Sequence, residues 1–258
     1  MPTDPQRIDD LSQTDLVRFI LDVIHRSSLH YGFWFSEIRH QMGTARALEA
    51  LRGAYERSLT IQVNRLAEVL GFELEDGLPK PLLAMDRSRL KSLAEGLALN
   101  WLSNDGVWFQ AVEFRDGMND AKRCNDSAWA QFSPLEAWSI KRLLNLPDRP
   151  GLDGLRKALQ FRIYALINPF TLLEESPESL VLQMNDCRVQ STRKRKGLAD
   201  YACKSAGRVE YTYFARSIDD RIMTECVGCP PDPHPDEWYC SWRFTLKTSS
   251  IFEEGSFK

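Results

Sequence analysis

The chain has 258 residues, 43% hydrophobic and 27% charged, with 33 Lys and Arg against 36 Asp and Glu for a net charge of −3. That length and mixture predict one large or two smaller folded domains and exclude a disordered or collagen-like chain. The near-neutral balance gives no global attraction to a polyanion, so no nucleic acid is expected. The longest uncharged stretch, residues 163–173, is too short to cross a bilayer, so no membrane span is expected. A start without a basic and then apolar signal predicts a cytoplasmic protein.

In chain order, Thr14 precedes a segment with Leu16, Phe19, Ile20, Val23 and Ile24 at helical spacing. A second segment over 31–42 carries Phe33, Trp34 and Ile38 and stops at Gly43, with Trp34 expected in the core. Residues 45–70 repeat leucine along one face and stop at Gly71, and Pro79 and Pro81 mark a linker. Asp86 opens another amphipathic run to Val112. Ser133, Pro134 and Glu136 predict a helix start, with Ser at the cap, Pro at the first position and Glu at the third. Pro147 closes that helix, and residues 152–167 make one more.

After Pro169 the pattern changes. Residues 171–173 and 179–183 predict a hairpin, a basic helix or turn follows, and 203–217 predict a helix with Val209, Tyr213 and Phe214 inward. Residues 221–227 and 238–247 read as two strands, the second alternating Trp238, Cys240, Trp242 and Phe244. The expected class is α+β: an α-helical domain over 1–169, then a smaller antiparallel-sheet-plus-helix domain over 170–258 that carries a cysteine metal site.

Five of the six cysteines fall after residue 186. In a reducing compartment, clustered cysteines point to metal or redox chemistry more than to disulfides, although free Cys is also a small core hydrophobe. Cys226-Val227-Gly228-Cys229 has the spacing of a metal knuckle, with Cys240 and Cys203 as further ligands and Glu225 as a substitute. A closed four-thiolate sphere would favour structural zinc. Cys187, beside Arg188, is a candidate nucleophile, and an inert thiol is the plainer reading.

Asn100, Trp101, Asn104, Asp105 and Trp108 recur at three- and four-residue steps, with Glu113 beyond them. Trp101 and Trp108 are expected to stack a flat ligand, Asn104 to hydrogen-bond it, and Asp105 or Glu113 to move a proton. The alternative is a core face with a capping network. Within the basic run Arg193-Lys194-Arg195-Lys196, Arg193 together with Arg188 would supply positive charge to an anionic or planar small molecule. The expected site is a cleft between the two halves. A homo-oligomer is compatible with this reading.

The order of Cys187, the basic helix, Cys203, Glu225-Cys226, Cys229 and Trp238 to Phe244 resembles a family of uncharacterised bacterial cytosolic proteins. More distantly, the C-terminal part is similar to the vinyl-reductase-type small-molecule-binding domain. That resemblance implies a zinc ion held by four of Cys203, Glu225, Cys226, Cys229 and Cys240. The same cysteine order resembles the aminothiazoline-carboxylate hydrolase-like proteins, which would make Cys187 or Cys203 catalytic. Two functions are therefore expected as alternatives: a zinc-stabilised sensor or carrier of a small molecule, and a hydrolase of a small carboxylated or sulfur-containing substrate acting through Cys187 or an Asp/Glu base.

Overall fold

The computed structural model describes residues 5–247. The chain divides into two compact units, Met1–Pro81 and Leu82–Lys258. In the first, a 3-10 turn (Ile8–Asp10) leads to helix α1 (Gln13–Met42), helix α2 (Thr44–Leu70) and a two-strand ladder of β1 (Leu74–Glu75) and β2 (Leu78–Pro79). The expected segments 14–24 and 31–42 are one helix, capped by Ser12, whose Oγ accepts from Asp15 N at 3.2 Å. Gly43 and Gly71 end α1 and α2 with φ of 85° and 72°, a region that costs a side chain about 1–2 kcal/mol. No residue of α1 is buried and only Ala47 and Ala67 of α2 are, so Trp34, 60% exposed, is not the core residue expected. Within this unit α1 packs on α2, and a helix with one packed neighbour seals only one stripe.

The second unit begins within the short α3 (Lys80–Leu83) and continues through α4 (Arg87–Asp116), α5 (Met118–Leu143) and α6 (Gly151–Leu159). A 3-10 turn (Ile163–Leu166), strands β3 (Phe170–Ser176) and β4 (Ser179–Met184), α7 (Arg188–Arg195), α8 (Lys204–Ile218), β5 (Ile222–Gly228) and β6 (Cys240–Leu246) follow. Asp86 caps α4 as expected, accepting from Arg89 N at 2.9 Å. The helix start expected at Ser133 is instead the interior of α5. Pro134 deletes one helical N–H, which costs a helix about 3 kcal/mol, and burial of Ser133, Pro134, Glu136, Ala137 and Ile140 on that face holds the helix through it.

The sheet is antiparallel in the order β3-β4-β6-β5. One face carries Leu180, Leu182, Met184, Trp242, Phe244 and Ile222 into a core shared with α5, α6 and α8. On α8 the inward residues are Tyr211, Phe214 and Ile218; Tyr213, expected inward, is 48% exposed because it falls on the opposite side of the turn. Each large side chain buried here contributes about 1.5–3 kcal/mol. The fold is thus α+β, helical first and antiparallel sheet with helices after. The change of character at Phe170 lies inside the second unit, because α5 packs along α8 across it. Among the described residues no helix is long and apolar enough to cross a membrane.

Candidate ligand-binding cavity

Between α4 and α5 on one side and α7, α8 and the sheet on the other lies a cavity of about 470 Å³ within the second unit. Such a volume takes a small organic molecule. Six aromatic side chains line it, Phe109, Trp129, Tyr164, Tyr201, Tyr211 and Trp242, among aliphatic, thiol and charged ones. Gly207 on α8 lets the Trp242 ring approach: a Cβ there would stand 2.4 Å from that ring. Trp242 then stacks on Tyr211 with centroids 5.1 Å apart.

Three ion-pair groups hold the walls in place. Arg193 on α7 donates to both oxygens of Glu113 on α4, at 2.9 and 2.6 Å, and from Nε to Ala199 O at 2.6 Å. Arg162, nearly unexposed, pairs with Glu136 at 2.9 Å and Glu210 at 2.7 Å. Burial opposes its charge, but the two carboxylates outweigh that and raise its pKa. Lys122 lies 3.7 Å from Asp126 and 4.3 Å from the centre of the Tyr201 ring, and burial lowers its pKa.

Several expected residues meet here. Asp105, Arg188, Arg193, Cys187, Cys203, Cys229 and Cys240 line the cavity. Asp105 has one neighbour, Asn125 Nδ2 at 3.5 Å, and burial raises its pKa. Asn125 is fixed in turn by the Tyr201 hydroxyl, which donates to Oδ1 at 2.7 Å. Arg188 is anchored by Nε to Ile167 O at 2.7 Å, and no acidic side chain among the described residues is ion-paired to it, to Arg195 or to Lys196. These three exposed side chains form a basic rim.

Others do not reach it. Trp108 is 56% exposed and Asn104 is also exposed, since both sit on the outer side of α4. Trp101 packs in an aromatic group, 5.8 Å from Phe132 and 5.9 Å from Trp129 and Tyr164. Glu113 and Arg193 satisfy each other, which leaves neither free for a ligand. Sequence reasoning missed Glu210, Tyr201 and Trp129, whereas Asn125 belongs to the polar segment after Glu113 that the sequence does point to as pocket lining. The signal for Glu210 was a lone acid beside small residues on the inward face of a helix, Ala206 and Gly207 one turn earlier.

The thiols gather at one corner. The Cys203 and Cys240 thiols, with burial, push the pKa of Cys229 well up. Cys203 also accepts from Gln190 Nε2 at 3.1 Å and donates to Tyr201 O at 3.3 Å. Burial raises the Cys226 pKa, with Lys204 and Cys240 nearby. Glu225 faces the other side of β5, where Arg243 donates to it at 3.2 Å; strand alternation puts Cys226 and Glu225 on opposite faces. Among the described residues no group of three or more His, Cys, Asp or Glu is placed to hold a metal ion. Burial, with the Cys203 charge second, pushes the Cys187 thiol up to about 12, and the adjacent Arg188 does not activate it.

Fold and cavity together define an α+β protein with a cavity lined in part by aromatic side chains. The chain belongs to DUF6125, a family of unknown function, whose model matches residues 9–93 and 83–246. No curated protein and no solved structure matches it, so the expected kinship with vinyl-reductase-type domains and aminothiazoline-carboxylate hydrolases finds no support.

Proposed function

We propose that this protein binds a small molecule with a planar, largely apolar body in the cavity of the second unit, as a sensor or carrier. The observation that carries this reading is the cavity itself, about 470 Å³ with six aromatic side chains in its lining and framing side chains held by ion pairs. Arg188, Arg195 and Lys196 at the rim suit an anionic substituent on that molecule. Burial pushes the Cys187 thiol up to about 12, which favours binding over a hydrolytic role through that thiol.

Zinc belongs to the same proposal. The donors would be Cys203, Cys229 and Cys240, with Cys226 as a fourth, and the mutual influence of these thiols supports it. The metal would have to draw these thiols inward, since as placed they do not reach metal-holding geometry.

The test of binding is a ligand-observed NMR screen of planar fragments against the native chain and Gly106→Phe. Gly106 lines the cavity, and a Cβ there meets nothing within 4 Å, so a side chain can start at this position without clash and the phenylalanine ring competes with a ligand for the cavity. Hits lost in the variant support the reading. Hits retained at full strength refute it.

A further inference from the structure

The charges around the cavity are unevenly placed: Arg188, Arg195 and Lys196 stand at its exposed rim, whereas inside, Arg193, Lys122 and Arg162 face five carboxylates, Glu113, Asp126, Glu136, Glu210 and Asp105. Glu113 is matched by Arg193 and Asp126 by Lys122. Arg162 is shared: Glu136 accepts from its Nε and, through the other oxygen, from Ile163 N at 2.8 Å, whereas Glu210 accepts from it through one oxygen alone. Asp105 has only the long contact from Asn125. A buried carboxylate offers about four acceptor positions and is costly to leave under-used. Asp105 and Glu210 both line the cavity, and the Asp105 charge acts on Glu210.

A second, independent feature lies beside them. Trp242 is fully buried and lines the cavity, yet its indole Nε1–H finds no acceptor among the described residues. It packs against Gly207, one turn before Glu210 on the same face of α8. An unused donor and two under-used acceptors thus line one cavity, as they would around an occupant that uses all three. Aromatic faces attract cations, which adds to the selection by charge.

We infer that Asp105 on α4 and Glu210 on α8, which line the cavity from its two sides, take a cationic nitrogen head of the ligand, of amidinium, guanidinium or ammonium type, with an acceptor atom of its planar body toward Trp242. This rests on the binding reading above and specifies its polarity: with the basic rim, the ligand is amphoteric, positive inside and negative outside. A neutral molecule of the same shape leaves the two carboxylates unmatched.

The experiment compares benzamidine with its neutral isostere benzamide by titration calorimetry at neutral pH, on the native chain, Asp105→Asn and Glu210→Gln. Benzamidine is expected to bind about tenfold or more tightly than benzamide, as a charge-assisted contact of about 1.5–3 kcal/mol requires, and to lose that advantage in both variants. Asp105→Asn keeps the Arg162 pairs intact, so its result stands even if Glu210→Gln fails to fold. Equal binding of the two probes overturns the cationic head and leaves the cavity reading in place. A benzamidine preference that survives Asp105→Asn, or in a folded Glu210→Gln, overturns the assignment to these carboxylates. If neither probe binds while the fragment screen still gives hits sensitive to Gly106→Phe, the cationic head is wrong and the cavity is right; if that screen also fails, both fall.

Discussion

Arg193 and Glu113, 80 residues apart in the chain, meet in a two-pronged ion pair with side chains only 6% and 11% exposed. It ties α7 to α4 and so fixes one side of the cavity. Removing one partner strands a buried charge. Glu113→Ala and Arg193→Ala are each expected to cost about 3–5 kcal/mol in chemical denaturation. The double change Glu113→Leu with Arg193→Met should recover much of that, since the desolvation penalty goes with both charges. Single variants within about 0.5 kcal/mol of the native chain would show the pair to be a surface contact.

Asp105 gives a pH signature. Its folded pKa is raised by burial above the ordinary 3.8, so its carboxylic acid form is the better tolerated in the fold. Its stabilising contribution is full below 3.8 and is lost as pH rises through the folded value. Asp105→Asn cannot ionise. The variant should therefore melt higher than the native chain at neutral pH, and the gap should close as pH falls toward 3.8. A gap independent of pH would mean that Asp105 ionises freely.

Cys187 and Cys124 should separate under alkylation. Cys124 is exposed, whereas Cys187 is buried with its thiol pushed up to about 12. Peptide mapping after iodoacetamide at neutral pH should find Cys124 modified first and Cys187 only after denaturation. Rapid native-state labelling of Cys187 would revive the nucleophile reading.

For zinc, elemental analysis of protein purified without added metal should give about one ion per chain, abolished in Cys229→Ser. Metal-free protein whose Cys203, Cys229 and Cys240 stay inert to added zinc would leave the thiol corner as hydrogen-bonded core.

Much of the fold was legible because single residues dictate it locally. Gly43, Gly71 and Asp86 mark their helix boundaries by backbone freedom and capping, and the alternation of Trp242 and Phe244 gave the inward face of β6. The helix start at Ser133 failed because a cap is a local signal and Pro134 is carried by packing from α6 and α8. In the site, Asp105 and Arg188 were found by their polarity. Trp108 was misplaced because helical periodicity fixes which residues share a face and leaves open which face turns inward. Glu113 and Arg193 were both noticed, but only the fold reveals that each is the other's partner.

The most direct measurement is the ¹⁵N indole spectrum of the seven tryptophans during titration with a fragment from the screen, assigned by single Trp→Phe variants. Trp242 and Trp129 line the cavity, whereas Trp34 is exposed in the first unit and Trp108 on the outer side of α4. Binding in the cavity predicts that the Trp242 and Trp129 resonances shift with one common dissociation constant while those of Trp34 and Trp108 stay fixed. Shifts confined to Trp34 or Trp108, with Trp242 unmoved at saturation, would contradict the account.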